Sequence, residues 1–312
     1  SGLTDTTGDC NDLDADANPG VESDPCNDGV DNDCDGRLDE DCEEITLGCG
    51  PLSAESLSEA VAFANVNHVE SVYVCPGEYA ESSNILVGKS ITISGSMEDV
   101  HFELIDAYFY VYTDEEDPIN VTIENLTLQC NSNKGFNPTI DRDTSLYVSS
   151  DVQSGLQLTL NNLTVSDCED GLEVVTHSNS LKNRINAEVN DSLFINNGTA
   201  IYNTSNNINV DINNSTITEN SGGIFFASYV DEKDYGSTLT ISDSDISLNT
   251  LDNTQAVAIH GTADAVITSS TITDNTSTGI AGALYISVGG DDSSFTIEAV
   301  SYTHLRAHET DT

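Results

Sequence analysis

The sequence predicts an all-β solenoid: a three-sided parallel β-helix with an N-terminal capping helix, preceded by a small irregular acidic module. Three observations carry this reading. A pattern of strand, polar pair and strand, ending in Asn, recurs from residue 121 onward. One amphipathic helix stands just ahead of the first strands. Acids, and half of the cysteines, crowd into the first 44 residues.

Charge bounds the partners first. The 312 residues carry 54 acidic and 8 basic side chains, for a formal net charge of −46. A nucleic-acid binder needs a basic face, so that class is excluded. Docking on an anionic membrane surface is disfavoured for the same reason. A calcium-rich or salty medium suits such a chain, because cations relieve its self-repulsion. No apolar run approaches the roughly 18–20 residues of a membrane helix, so no transmembrane segment is expected.

Residues 1–50 hold 16 of the 54 acids against one base, Arg37. That concentration marks residues 1–44 as a separate unit. In "DNDCDGRLDEDC" (31–42), Asp31, Asp33 and Asp35 alternate and Gly36 follows. Alternate residues can aim oxygens at one cation while the glycine allows a sharp turn, and Asp39 falls at the ninth position of such a calcium loop. The twelfth position is Cys42 rather than Glu, and no helix pattern flanks the loop, so it is not an EF-hand. "DCNDLDADANPG" offers a second comb, Asp9, Asn11, Asp12, Asp14 and Asp16, and "NDGVDND" adds Asp28. Cys10, Cys26, Cys34 and Cys42 lie among these carboxylates. An even cysteine count without a C-x-x-C zinc pair suggests an oxidising compartment.

The stretch 8–42 resembles the MopE-type metal-binding motif of bacterial surface proteins and is similar to thrombospondin type 3 calcium repeats. The MopE name implies copper. The ligands do not: the segment has no His and no Met, and its hard oxygens favour calcium. Another metal, or a disulfide-held acidic linker with no specific metal, are the competing readings. With almost no apolar core, the module depends on metal and disulfides to fold.

The capping helix is expected over 53–64, with Ser53 as N-cap, Glu55 in the first turn, and Leu57, Ala60, Val61 and Ala64 as its apolar stripe. Short β-rich runs follow at 72–74, 85–87 and 91–93, separated by Pro-Gly or Gly turns. Then come the repeats: "VTIENLTLQCN", "LTLNNLTVSDC", "AEVNDSLFINN", "VDINNSTITEN", "LTISDSDISLN" and "AVITSSTITDN". Measured at Ile123, Leu160, Val189, Ile212, Ile241, Ile267 and Ile297, the steps are 37, 29, 23, 29, 26 and 30 residues. A second, Gly-flanked strand sits between them ("GTAIYN", "GGIFFAS", "AVAIHG", "GALYIS"). Strands this short make no core alone, whereas rungs stacked about 4.8 Å apart bury a continuous apolar stripe. The recurrent Asn would stack into ladders at the corners. A β-sandwich uses similar strands, but near-identical internal repeats argue against it.

"SLSEAVAFAN", "VYVCPGEY" and "ILVGKSITISG" resemble the opening of pectate-lyase-like proteins, and "FINN" with "GGIFF" resembles the repeats of polymorphic outer-membrane proteins. The resemblance spans residues 45–299 and implies a right-handed parallel β-helix on a bacterial cell exterior. It says little about activity. The string "VSYTHLRAHET" in 300–312 resembles a translated sequencing adapter. It is expected to be non-native, and His304 and His308 are not read as ligands.

Cys130 and Cys168 occupy nearly equivalent places in successive repeats, one residue out of register. Stacked rungs would bring their Cα atoms to about 5 Å, within disulfide range. Cys49 and Cys75 flank the capping helix and form a second candidate pair. Buried free thiols are the alternative for both.

No catalytic constellation emerges. Polysaccharide lyases of this fold abstract a proton with a basic residue. The basic candidates are Lys89, Lys134, Arg142, Lys182, Arg184 and Lys233, and only Lys182 and Arg184 stand together, in a loop-like stretch. A glycosidase carboxylate pair cannot be singled out among so many acids. His68, His101, His177 and His260 read as structural. Tyr108, Tyr110 and Tyr112 in "AYFYVY" alternate on one strand face and are candidates for glycan binding. The expected function is a secreted or surface-displayed calcium-binding adhesin or scaffold, monomeric, with a polysaccharide, surface glycan or protein as partner. A calcium-assisted polysaccharide lyase or hydrolase and a passive stalk are the alternatives.

Overall fold

In the computed structural model each turn of the chain gives one strand to each of three parallel sheets, of 11, 9 and 8 strands. The described residues are 34, 44–49, 53–67, 69–97, 99–113, 118–131, 144–150, 155–176, 184–228, 236–251, 256–277, 283–288, 294–298 and 300–302. A typical coil is Ile185–Asn190 in the first sheet, Leu193–Ile195 in the second and Thr199–Asn203 in the third. The protein is a right-handed parallel β-solenoid, the hand that parallel crossovers favour. Neighbouring strands of the three sheets pair in parallel, which excludes the antiparallel sandwich.

The repeat register is realised rung by rung. Ile123, Leu160, Val189, Ile212, Ile241, Ile267 and Ile297 are successive partners in the first sheet. The column extends back through Ile93 to Val72. From Val72 to Ile267 every member has 0% exposure, while Ile297, on the last described rung, has 39%. Each fully buried member contributes about 1.5–3 kcal/mol of transfer free energy.

A two-residue corner joins the first sheet to the second in each of these repeats. Its first residue (Asn125, Asn162, Asp191, Asn214, Asp243, Ser269) has φ between 48 and 58°. Asn and Asp are the side chains that tolerate this left-handed conformation best. Its second residue turns inward. There Ser192, Ser215, Ser244 and Ser270 form a buried ladder, each Oγ accepting the backbone N–H of the residue one rung before, at 3.1 Å. The corner after the second sheet carries the asparagine ladder Asn197, Asn220, Asn249 and Asn275, linked Nδ2 to Oδ1 at 2.8–3.0 Å. These are the residues that end the repeats. Cys168 takes the ladder position one rung earlier, where its N–H donates to Asn197 Oδ1 at 3.1 Å.

The helix runs Leu57–Asn67 and buries Leu57, Ala60, Val61 and Ala64. It packs against Ile45–Leu47, Ser71–Val74 and Ile85–Val87, closing the first coil. The stripe is the expected one, but the start at 53 is not. Ser53–Ala54 is a strand paired with Thr46 and Leu47. Ser56 is the N-cap, with Glu59 N–H donating to Ser56 Oγ at 3.1 Å and the Glu59 carboxylate reaching back to Glu55 N–H at 3.0 Å. This is a capping box shifted one residue upstream on its return arm. Gly77, expected in a Pro-Gly turn, instead opens the strand Gly77–Glu81 of the second sheet. Cys49 is bonded to Cys75 and Cys130 to Cys168, with Cα atoms 6.0 and 5.0 Å apart. Ser301–Tyr302 continues the second sheet beside Thr271 and Ile272.

Candidate functional site

Connection lengths single out one face. Every described link from first to second sheet between 124 and 271 has two residues. Links into the third sheet range from three residues, between Ser166 and Asp170, to twelve, between Asn131 and Thr144. Return links range from two, between Gly261 and Asp264, to nine, between Ser228 and Thr238. In solenoids the insertions often surround the face that binds, which makes the third sheet the candidate.

The outer surface of the third sheet is aromatic. Within Phe109–Thr113, Phe109, Val111 and Thr113 point inward and are buried, so Tyr110 and Tyr112 point out. Tyr110 pairs in register with Tyr147, Tyr147 with Glu173, Glu173 with Tyr202, and Tyr202 with Phe225. The column continues through Ala258 to Tyr285. The rings touch. Tyr110 stacks on Tyr112 at 5.0 Å between centroids and lies 5.4 Å from Tyr147, and Tyr108 meets Tyr110 and Tyr147 edge-on at 6.4 Å. Beyond Glu173, Tyr202 stacks on Phe225 at 5.4 Å, and His260 lies between Phe225 and Tyr285 at 5.1 Å from each. Gly88 leaves room for the Tyr112 ring, since a Cβ there would sit 2.9 Å from it.

The track holds one carboxylate and no strong base. Glu173 is 4% exposed. No third-sheet strand contains Lys or Arg. Burial lowers the His260 pKa, so the ring stacks as neutral imidazole near neutral pH. Ser145 and Ser149 flank Tyr147 on the same face, fully buried, and among the described residues neither Oγ makes a hydrogen bond.

The structure brings the three sequence-chosen tyrosines together and adds five rings: Tyr147, Tyr202, Phe225, His260 and Tyr285. His260 is not isolated; it belongs to this stack. Arg184 is engaged, its Nε donating to Asn207 Oδ1 at 2.9 Å. Lys134, Arg142, Lys182 and Lys233 lie outside the described residues, as do His68 and His177. His101 Nδ1 pairs with Glu78 at 3.1 Å on the second sheet.

Of the acidic module, Cys34 is described, and it is disulfide-bonded. Asp9, Asn11, Asp12, Asp14, Asp16, Asp28, Asp31, Asp33, Asp35 and Asp39 lie outside the described residues, with Cys10, Cys26 and Cys42. Among the described residues no three His, Cys, Asp or Glu side chains gather as a metal site. No described helix is long and apolar enough to cross a membrane.

At the other end of the fold, Glu81 is 2% exposed and faces the N-terminus of the helix, where its carboxylate accepts Leu57 N–H. Desolvation pushes its pKa up, against the opposing pull of hydrogen bonds from Leu57 and Ser58. The group closes the core and takes no part in the aromatic face.

Comparison with known proteins adds a motif. A family profile described as "Putative metal-binding motif", of the Cu-binding MopE type, matches residues 9–40. No curated protein matches the chain. Among solved structures, the A-module of mannuronan C-5 epimerase AlgE6 from Azotobacter vinelandii is similar at 15% identity and a TM-score of 0.23, covering 80% of this chain and 95% of that one. The protein is thus a parallel β-helix carrying an N-terminal metal-binding motif.

Proposed function

We propose that the protein is a calcium-binding adhesin or extracellular scaffold, secreted or displayed on a bacterial surface. The observation that carries this reading is the metal-binding motif at 9–40 joined to a long solenoid. Hard oxygens from Asp31, Asp33, Asp35 and Asp39, and from Asp9, Asn11, Asp12, Asp14, Asp16 and Asp28, would hold the ion. Bound calcium would neutralise carboxylates that otherwise repel one another and so order the segment. The oxygen donor set fits calcium better than copper. Residues 1–44 form the metal module and 45–299 the β-helix in this reading. The disulfides Cys49–Cys75 and Cys130–Cys168 fit an oxidising exterior. The solenoid acts as a rigid, monomeric arm, and its outward face meets a glycan or a surface protein.

The enzymatic alternative, a calcium-assisted lyase, finds no Lys or Arg on the described third-sheet strands; Lys134, Arg142, Lys182, Arg184 and Lys233 stand in the links that border them. Incubation of the full chain with polyuronate and calcium, followed by absorbance of unsaturated products, tests it. The scaffold reading expects no product. Sustained product formation would overturn it in favour of catalysis.

A further inference from the structure

We propose that the outer face of the third sheet is a binding track for a neutral polysaccharide, laid along the solenoid axis. The inference deepens the adhesin reading by naming the ligand class of its outward face. Three observations meet there.

The first is composition. Tyr110, Tyr147, Tyr202, Phe225 and Tyr285 share one outward column, with Tyr108, Tyr112 and His260 beside it. Tyrosine presents an apolar ring face and a polar rim, which matches the C–H face and hydroxyl edge of a pyranose. The rungs repeat at about 4.8 Å, so successive rings can meet successive sugars of an extended chain.

The second is hydrogen bonding. Ser145 and Ser149 flank Tyr147 with buried, unpartnered Oγ atoms. Buried hydroxyls are ordinarily bonded, and a polar ligand supplies what these two lack. Glu173, between Tyr147 and Tyr202, offers carboxylate oxygens that accept from sugar hydroxyls.

The third is charge. The third-sheet strands hold no Lys or Arg, and in the links that border them acids outnumber bases, so a polyanion meets net repulsion on a chain of net charge −46. A polycation would be drawn to acids anywhere on the chain, so the aromatic column would not decide where it binds. A neutral glycan is the occupant for which this column is selective.

The test uses the full oxidised chain in saturating calcium. Soluble β-1,3-glucan, β-1,4-glucan, α-1,4-glucan, galactomannan and xylan are screened by affinity electrophoresis, beside polyuronate and chitosan. Calorimetry follows with the best ligand. The expected result is binding to a neutral polymer, weakened at least tenfold by Tyr147→Ala and by Tyr202→Ala. Glu173→Gln weakens it several-fold. Tyr73→Ala, on the first sheet, leaves it unchanged. Each variant is checked for unaltered circular dichroism. Repeating the titration in chelator separates this inference from the calcium reading: retained affinity supports the track whatever the metal module does. No affinity for any neutral polymer overturns the inference, as does affinity for polyuronate or chitosan alone, or affinity indifferent to both tyrosine variants. Self-association that these variants abolish would also overturn it, by making the face an interface between copies.

Discussion

Asn220 sits at the middle of the buried asparagine ladder, with 0% exposure. Its Oδ1 accepts the Asn197 backbone N–H at 2.8 Å and Asn197 Nδ2 at 3.0 Å. Its Nδ2 donates to Phe194 O at 3.0 Å, Thr218 O at 2.9 Å and Asn249 Oδ1 at 3.0 Å. Asn220→Ala deletes the whole set. The orphaned Asn197 N–H alone costs about 1–3 kcal/mol, and the other lost bonds add about 1 kcal/mol each at most, with sharing among the three acceptors reducing that sum. The expected loss is about 3–5 kcal/mol. Urea unfolding followed by circular dichroism reads it as a lower midpoint at unchanged slope. Hydrogen exchange locates it as faster exchange at the Asn197 amide. The cost should be non-additive with Asn197→Ala, since the two share bonds. A loss under about 1 kcal/mol, with Asn197 exchange unchanged, would refute the idea that the ladder holds the corner.

Three further outcomes are expected. Gly223→Ala would place a Cβ 2.0 Å from Ala256 O, a backbone atom that cannot swing away. It should lower the thermal midpoint by several degrees or abolish folding; a stability equal to the parent contradicts the close rung approach. Replacing Cys130 and Cys168 by Ser opens a link between residues 38 apart in sequence. Loop-entropy reasoning puts the loss at about 4 kcal/mol, read by urea unfolding under oxidising conditions. The raised pKa of Glu81 means that the folded state holds its proton more tightly than the unfolded chain does. Its stability contribution is fully present below the ordinary carboxylate range and is lost as pH rises through the folded pKa. Glu81→Gln should therefore flatten that part of the stability–pH profile, and identical profiles for variant and parent would contradict it.

The fold was legible because its constraints recur once per coil. The Ile and Val column has only one register that buries every member. Asn or Asp at the first corner answers a left-handed φ, and the terminal Asn of each repeat answers a buried turn. The helix start was misread because Ser53 and Ser56 both look like N-caps. Glu59, three residues after Ser56, was the deciding signal. Gly77–Glu81 was hidden because Gly, Glu and Ala are weak strand formers; pairing with Val100–Ile105 and the burial of Glu81 under the helix make it a strand. The aromatic face was half legible. Tyr108, Tyr110 and Tyr112 are neighbours in sequence. Tyr147, Tyr202, Phe225, His260 and Tyr285 are spread over coils joined by unequal links, so they align only when the coils are wound. Each sits in a Gly-flanked or equivalent third-sheet strand, and superposing those strands would have found most of the column.

The central claim is that the acidic N-terminal motif binds calcium. Calorimetric titration of calcium into the oxidised full chain at near-physiological salt tests it most directly. The expected result is saturable binding that Asp33→Ala combined with Asp35→Ala abolishes, accompanied by a gain of ordered structure. Absence of binding heat, or heat that the double substitution leaves unchanged, would contradict it.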